Sequence, residues 1–228
     1  MAEIWNGLTR AVELIISLDP EVLAITGRSL RISLTSTVLA TLICLPLASV
    51  IHFNRFPGKR VLVSIIQTFY SVPTVVIGLI VFAVFSRAGP LGGLNLLFTP
   101  TVMVIGQMVL ITPILLGLTI SALRGIDQTM LDTARSLGAS GVQTATVVFR
   151  EARYAVVAAV IMGFGRAISE VGIALLVGGN IVDLSRVLTT AISLETSKGN
   201  LELAFALGII LIFIALVVNV VLNRLQQR

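Results

Sequence analysis

The chain has 228 residues, of which 56% are hydrophobic and only 12% are charged, and its mean hydropathy is +1.04. Soluble domains carry about 25% charged residues, so this composition excludes an ordinary soluble globule and indicates an integral membrane protein. The net charge of +5 comes from basic residues scattered between apolar runs, which indicates positive-inside topology rather than nucleic-acid binding. The chain has one cysteine, Cys44, which excludes an intramolecular disulfide and a metal site made of several cysteines. It has one histidine, His52, which excludes a metal site made of several histidines. We therefore expect neither a metal site nor catalytic residues.

The N-terminal segment 1–28 differs from the rest of the chain because charged residues interrupt its apolar pattern. Its apolar residues recur at the spacing of one face of a helix: Trp5, Leu8, Val12, Ile15 and Ile16. This pattern predicts an amphipathic helix at the membrane interface, with Trp5 at the level of the lipid headgroups. The pattern also leaves open the alternative that this segment is a sixth span. The segment lacks a basic n-region and a small-residue cleavage site, so we expect no removable signal peptide.

Residues 29–228 contain five apolar runs, each close to the ~20 residues that a bilayer requires. The runs are 30–51, 61–85, 100–123, 154–177 and 203–222. We therefore expect an all-α membrane protein with about five transmembrane helices and one long polar connection, 124–153.

Five spans put the two termini on opposite sides of the membrane. A cytoplasmic 124–153 connection places nine basic residues inside and six outside, and this bias favours a cytoplasmic C-terminus. The inside set is Arg55, Lys59, Arg60, Arg124, Arg135, Arg150, Arg153, Arg224 and Arg228, and the outside set is Arg10, Arg28, Arg31, Arg87, Arg186 and Lys198.

Prolines lie inside two of the spans, Pro73 in the second and Pro113 in the third. Proline has no backbone N–H and clashes with the preceding turn, so we expect both to interrupt a helix. Interrupted backbone is tolerated at membrane depth only where protein or a water-filled cavity covers it. With Gln67, Gln107 and Gly78 in the same spans, the breaks indicate either packing kinks or helices that line a pathway.

The 124–153 connection has the features of two capped helices. Asp127 suits an N-cap, Gly138 suits a left-handed C′ residue, and Ser140 with Gln143 fits a capping box. A short apolar stripe follows the first helix at Met130, Leu131, Ala134 and Leu137. A solvated linker would need neither caps nor a stripe, so we expect a helical hairpin that inserts into a partner's groove.

Two charged residues, Arg166 and Glu170, lie inside the fourth span, where a charge is costly unless it is paired or faces a cavity. Their spacing of four would pair them on one face of a continuous helix. The same face carries a ridge of small residues that lets a second helix approach closely, at Ala155, Ala159, Gly163 and Ala167. The pair either fixes the packing of this helix or belongs to a pathway or gate.

The first helix of the connection carries an acid-small-small-x-x-x-Gly pattern at Asp132, Thr133, Ala134 and Gly138. This resembles the Glu-Ala-Ala-x-x-x-Gly signature of ABC importer permeases, with Asp for Glu and Thr for the first Ala. The resemblance implies that these four residues belong to the loop through which the permease is coupled to its ATPase. The family's downstream Ile-x-Leu-Pro would fall at residues 148–151, where only the aliphatic Val148 matches.

Residues 165–181 resemble permeases of the molybdate, tungstate and sulfate branch, and residues 189–199 resemble the tungstate type in particular. The resemblance implies a type I ABC importer permease fold over 29–228 and an oxyanion, tungstate or molybdate, as the substrate. The candidate pathway or gate residues are Arg166, Ser169, Glu170, Asn180, Thr189 and Thr190. Ser71 and Thr74 add hydroxyls from the second span.

No Gly-x-x-x-x-Gly-Lys-[Ser/Thr] sequence occurs in the chain, whose lysines are Lys59 and Lys198. We therefore expect no enzymatic activity and no cofactor on this chain, with ATP and Mg²⁺ used by a separate subunit. The resemblance implies a homodimer of permease copies in a prokaryotic cell membrane. It also implies two cytoplasmic ABC ATPases and an extracytoplasmic substrate-binding protein as partners, with no nucleic acid.

Other functions stay open on the sequence alone. Within the same class, the alternative substrates are sulfate, phosphate and methionine. A secondary transporter is disfavoured because an odd number of spans does not divide into paired halves. An intramembrane enzyme would need a nucleophile, base or metal constellation, which one histidine and one cysteine do not supply.

Overall fold

The computed structural model describes residues 2–226, and within that range every side chain except those of residues 2–4, 128, 131, 134, 135 and 226. The described residues form eleven α-helices and two 3₁₀ turns, without a β-strand. The helices are α1 Ala2–Ile16, α2 Pro20–Phe53, α3 Lys59–Thr68, α4 Thr74–Phe85, α5 Pro100–Arg124, α6 Gln128–Ser136, α7 Gly141–Glu151, α8 Arg153–Ile168, α9 Gly172–Gly178, α10 Leu188–Lys198 and α11 Leu201–Gln226.

Three helices, α2, α5 and α11, are long and apolar enough to cross a membrane singly. Two further spans consist of helix pairs bent at a short break, α3–α4 by 99° and α8–α9 by 58°. Counting each bent pair as one span gives five, which confirms the expected all-α membrane architecture. At 15 residues, α1 is shorter than the ~20 residues that a span requires.

The second span bends at Pro73, as predicted. A 3₁₀ turn, Phe69–Ser71, follows α3, and the next two residues, Val72 and Pro73, are extended with ψ near 129°. The residue before a proline disfavours the helical conformation, so the chain leaves the helix at Val72 and re-enters it at Thr74.

The break expected at Pro113 is wrong, because α5 runs without interruption from Pro100 to Arg124. This helix lies at the centre of the bundle, and residues on both sides of the proline are buried against neighbouring helices: Leu110, Ile111, Leu115 and Leu116. Packing along the whole helix holds the backbone across the missing N–H, which a membrane protein tolerates where neighbouring helices cover the site.

Helix α5 packs against α2, α8, α9 and both halves of the bent second span. On α8 the predicted small-residue ridge allows this approach, since a side chain added at Gly163 would meet Leu115 of α5 at 3.0 Å. Ala159, Gly163 and Ala167 of the ridge are buried, whereas Ala155 is exposed.

The N-terminal helix α1 packs against α11 at its small residues: Ala11 is fully buried, and Gly7 lies against Phe205 and Leu201 of α11. Of the apolar stripe found in the sequence, Ile15 packs against the buried cluster that includes Ala11. The other members are exposed: Trp5 (74%), Leu8, Val12 and Ile16. Such an outward apolar face suits contact with lipid, and the interfacial location of segment 1–28 stays a prediction.

The bundle has two ends. At one end, called here the hairpin face, Arg124 lines the same cleft as Arg55 and Lys59, and the α6–α7 hairpin follows Arg124 directly. At the other end, called the outer face, Arg28 Nη1 of α2 donates to the carbonyl of Arg186, 2.9 Å away. That the hairpin face is cytoplasmic stays a prediction from the basic residues.

Gly117 of α5 provides a test of this packing, because a methyl group there would overlap the Tyr70 ring, whose Cζ lies 2.7 Å from the added carbon. We expect Gly117→Ala to lower the free energy of unfolding by about 1–3 kcal/mol, the usual cost of overpacking. The measurement is thermal unfolding in detergent, with Gly208→Ala as the control, because no atom lies within 4 Å of the carbon added there. Equal effects of the two substitutions would contradict the packing, as would a failure of Tyr70→Leu to rescue Gly117→Ala.

Candidate transport pathway and docking loop

The 124–153 connection folds as the predicted capped hairpin. Asp127 Oδ1 accepts from the backbone N–H of Thr129 at 2.9 Å, which caps α6, and this hydrogen bond lowers the pKa of the Asp127 carboxyl. Gly138 ends α6 in the left-handed region with φ of +81°. Ser140 and Gln143 form both hydrogen bonds of a capping box at the start of α7.

The hairpin is anchored at its base and exposed at its tip. Val148 of α7 is fully buried in a cluster with Leu123, Ala152 and Val156. At the tip, the apolar side chains of Leu137 and Val142 are 83% and 78% exposed. Large apolar side chains exposed to this degree indicate a surface that a partner covers.

The four residues of the predicted coupling motif lie on this hairpin. Thr133 and Asp132 are exposed on α6, and Gly138 is exposed at the turn between the two helices. The backbone of Ala134 is helical, but its side chain lies outside the described residues.

The predicted pairing of Arg166 with Glu170 is confirmed, although Glu170 lies beyond the end of the helix that carries Arg166. Helix α8 ends at Ile168, and Glu170 lies in the break before α9. The pair forms nevertheless, with Arg166 Nη1 2.8 Å from Glu170 Oε2. The other carboxylate oxygen, Oε1, accepts from the backbone N–H of Ile173 at 3.1 Å. Glu170 therefore both neutralises Arg166 and satisfies a free backbone N–H at the start of the next helix.

Other predicted pathway residues join this break to the start of α10. Thr189 Oγ1 donates to the backbone carbonyl of Glu170 at 2.8 Å, and the amide of Asn180 donates to the carbonyl of Thr190 at 3.3 Å. Thr190 is fully buried and bonds the backbone of Val187. These residues hold the broken backbone in place.

Ser169 differs from the other candidates because it is exposed. Its hydroxyl donates to the carbonyl of Gly165 on the preceding turn at 3.0 Å.

The two broken spans touch each other at their breaks. A side chain added at Gly172, which begins α9, would lie 3.1 Å from Thr74 Oγ1, at the start of α4, and 3.3 Å from Glu170 Oε1. Farther along the same two helices, Gly78 of α4 lies against Ile173 of α9. Glycines at these positions let the two discontinuous helices pack closely, so that polar groups of both breaks meet inside the bundle.

A buried polar contact between α2, α5 and α8 was only partly visible in the sequence. Ser36 Oγ donates to Gln107 Oε1 at 2.8 Å, and Gln107 Nε2 donates to the carbonyl of Ala167 at 3.1 Å. Ala167 lies in the last turn of α8, so this bond supports the backbone just before the break. Gln107 stands out in an apolar run, but nothing local in the sequence identifies Ser36 as its partner.

Charged side chains are buried at the outer face, and nothing in the sequence pattern marked them. Arg186 and Glu195 are 8% and 5% exposed, and Glu195 also bonds Lys198 and Asn200 at 2.9 and 3.0 Å. Burial alone would raise the pKa of Glu195, but the hydrogen bonds and the positive charges of Lys198 and Arg186 lower it, which keeps the carboxylate ionised at neutral pH.

Within residues 2–226, no group of three or more His, Cys, Asp or Glu side chains is placed to hold a metal ion.

A bundle with two broken spans that meet inside it, and a capped hairpin projecting from one end, is the architecture of a membrane transport subunit. Residues 29–228 match the family described as the binding-protein-dependent transport system inner membrane component, and the chain belongs to this family.

Two relatives match most or all of the chain in sequence. The protein is 43% identical over 210 residues to a probable anion ABC transporter permease protein of Haloferax volcanii, with 90% of each chain covered. It is 38% identical over 227 residues to the tungstate uptake system permease protein TupB of Peptoclostridium acidaminophilum, with 100% of each chain covered.

A solved structure has the same fold. A chain of the inward-facing MetNI methionine ABC transporter superimposes with a TM-score of 0.73 over 90% of this chain and 94% of that one. The sequence identity is 18%, so the likeness concerns the fold alone, which is that of the type I ABC importer permeases.

The Arg166–Glu170 pair is tested by a double-mutant cycle. Arg166→Gln strands a carboxylate that is only 2% exposed, so we expect it to lower the free energy of unfolding by about 2–4 kcal/mol. Glu170→Gln leaves a guanidinium that is 35% exposed and not fully buried, so we expect its effect to be smaller. The double substitution recovers part of the loss, since glutamine keeps an oxygen for the N–H of Ile173. Thermal unfolding of the four proteins in detergent measures the coupling, and strictly additive losses would contradict it.

Proposed function

We propose that this chain is the membrane-spanning permease subunit of an ATP-driven importer for an oxyanion, and that the oxyanion is tungstate. The chain itself performs no covalent chemistry in this proposal. Separate ABC ATPase subunits bind the ATP and Mg²⁺, a second copy of the permease completes the pathway, and an extracytoplasmic protein delivers the substrate.

One observation carries the proposal: the breaks of two spans meet inside the bundle. Thr74 of the second span and Glu170 of the fourth approach the same glycine, Gly172. Unwound backbone at membrane depth is characteristic of transporter binding sites and pathways, because it is stable only where protein or an aqueous cavity covers it. Exposed hydroxyls at Ser71 and Ser169 flank the two breaks, and a pathway between two copies would place them beside the passing ion.

The chain also provides a direct connection from the hairpin to this region. Helix α7 ends at Glu151 and α8 begins at Arg153, and hydrogen bonds run across the join from Ala152 N to the carbonyl of Val148 and from Val156 N to that of Ala152. Helix α8 then leads to the break at Glu170. A displacement of the hairpin therefore reaches the break through one nearly continuous helix, which suits a rigid-body switch between inward- and outward-open states.

The exposed tip of the hairpin supports a separate ATPase as the partner at this face. Leu137 and Val142 present an apolar surface within a polar rim, as does a helix that inserts into a groove. The carboxylate of Asp132 and the hydroxyl of Thr133 lie on the same helix. ATPase closure on this surface would supply the displacement that α8 transmits.

The substrate assignment rests on the relatives together with the charge of the pathway. The tungstate relative matches the chain from end to end, and the Haloferax relative is a probable anion permease. Arg166, the cation nearest the break, is paired at 2.8 Å with Glu170, so the region offers hydroxyls and amides rather than an open cationic site. A dense positive ring would retain a dianion instead of releasing it. Affinity therefore belongs to the binding protein, and the permease supplies weak, passing contacts.

Gly138 tests the coupling role of the hairpin. A residue with a Cβ is strained at φ of +81°, so we expect Gly138→Val to abolish ATP hydrolysis coupled to transport while membrane insertion stays normal. Gly141→Val is the matched control, because both positions have open space around an added Cβ but Gly141 has no positive φ. Asp132→Lys, which reverses a charge on the same surface, is expected to weaken association with the ATPase.

The measurement is ATPase activity of the reconstituted complex with substrate-loaded binding protein. Normal coupling and assembly in both Gly138→Val and Asp132→Lys, or an equal loss in Gly141→Val, would contradict docking through this turn.

The substrate is tested with the same complex. We expect binding protein loaded with tungstate to stimulate ATP hydrolysis most, and molybdate to follow, because both are tetrahedral dianions. Phosphate and methionine are expected to be inert. Stimulation by either of these without tungstate would overturn the substrate assignment and leave the permease function standing.

A further inference from the structure

A groove of about 580 Å³ lies between the outer ends of α2 and α5 and shares no residue with the two breaks. Its upper part is polar, lined by Arg28, Arg31, Thr35, Thr101 and one acidic residue, Asp183. Its lower part is apolar, lined by Leu39 and Val104 among others. The groove thus changes from basic to apolar along the two helices, in the direction that runs into the membrane.

The length of α2 shows at which level of the membrane this groove lies. Phe53 ends α2 at the hairpin face, and Arg31 lies about 33 Å away from it at ~1.5 Å per residue. The hydrocarbon core of a bilayer is ~30 Å thick, so Arg31 reaches the outer headgroup level. Leu39 lies two turns deeper on the same helix, at the level of the acyl chains, and it is exposed.

The charge of the upper part is positive. Arg28 is fixed by its bond to the carbonyl of Arg186, and Asp183 Oδ1 lies 3.7 Å from Arg28 Nη2. This distance is longer than a hydrogen bond, and the Asp183 side chain is 89% exposed, so the carboxylate only partly offsets Arg28. Among the described residues, no carboxylate forms an ion pair with Arg31.

The N-terminus of α5 adds to this positive field. No side chain caps it, since the N-cap residue Thr99 makes no capping hydrogen bond, and Thr101 in its first turn lines the groove. Backbone N–H groups at a helix start carry partial positive charge and bind anionic oxygens. Two guanidinium groups and a helix N-terminus therefore converge on the top of one groove.

We propose that this groove holds an anionic phospholipid of the outer leaflet, with its phosphate beside Arg31 and Thr101 and an acyl chain along Leu39 and Val104. A phosphate-bearing lipid matches both the positive upper part and the apolar lower part. A free oxyanion would match the upper part only and would leave the exposed apolar wall without a function.

The test uses the full-length permease purified in detergent and titrated with dioleoylphosphatidylglycerol, with bound lipid counted by native mass spectrometry. We expect Arg31→Gln to weaken the apparent Kd about fivefold, the effect of one cation near a membrane surface. Leu39→Asn is expected to weaken it as well. The matched controls are Arg87→Gln, an exposed arginine in the loop before α5, and Leu216→Asn, an exposed leucine of α11, and both are expected to bind as the wild type does.

Three outcomes would overturn the proposal. Unchanged binding by Arg31→Gln would remove the headgroup site, and an equal loss in Arg87→Gln would mean attraction by overall charge. Displacement of the lipid by millimolar inorganic phosphate or tungstate would make the groove a site for free oxyanions. Lipid binding is measured without ATPase or binding protein, so the result is independent of the transport function.

Discussion

A backbone that leaves the helical conformation inside a membrane must find hydrogen-bond partners within the protein, because hydrocarbon offers none. This permease breaks two of its five spans, and several of its buried polar contacts serve that requirement. Glu170 is the central residue. Its two carboxylate oxygens accept from Arg166 and from the N–H of Ile173, and its carbonyl accepts from Thr189. Three separate segments of the chain are thus fixed at one buried residue.

The same contacts determine the charge of the region around the break. Because Glu170 neutralises the guanidinium of Arg166, the break has polar groups without a strong net charge. On the proposed function, a dianion that passes here is solvated by hydroxyls and amides but not retained. The buried bond from Gln107 to the carbonyl of Ala167 supports the end of α8 from the other side. On the proposed function, motion of α8 moves the break as a unit, and it begins at the hairpin at the opposite end of α8.

Sequence reasoning predicted the features that depend on local chemistry. The caps at Asp127 and Ser140, the left-handed Gly138 and the break at Pro73 follow from the conformational preferences of single residues, and all of them are present. Two expectations about helix continuity failed: the break expected at Pro113 is absent, and the break at Glu170 was not expected. Burial on both sides keeps α5 intact at its proline, and no proline marks the break at Glu170.

These expectations failed because tertiary contacts, rather than local sequence, determine where a helix breaks. A spacing of four between Arg166 and Glu170 is compatible with an ion pair whether or not the helix continues. The partnership of Ser36 with Gln107 and the approach of Thr74 to Gly172 join residues far apart in the chain, and no periodic pattern encodes them. Sequence resemblance, by contrast, selected residues that the structure places around one break, although not their bonds, and their role in a pathway stays a prediction.

Whether the two breaks border an aqueous pathway is decided by the accessibility of their exposed serines. In a Cys44→Ser background, Ser71→Cys and Ser169→Cys are treated with a membrane-impermeant, water-soluble thiol reagent in the assembled transporter, with Leu42→Cys on the exposed apolar side of α2 as the control. If the breaks border water, both serine-derived thiols react, at rates that change when ATP binds, while the thiol at position 42 does not react. Thiols at positions 71 and 169 that are as inert as the one at position 42 would place the breaks against hydrocarbon and contradict the pathway.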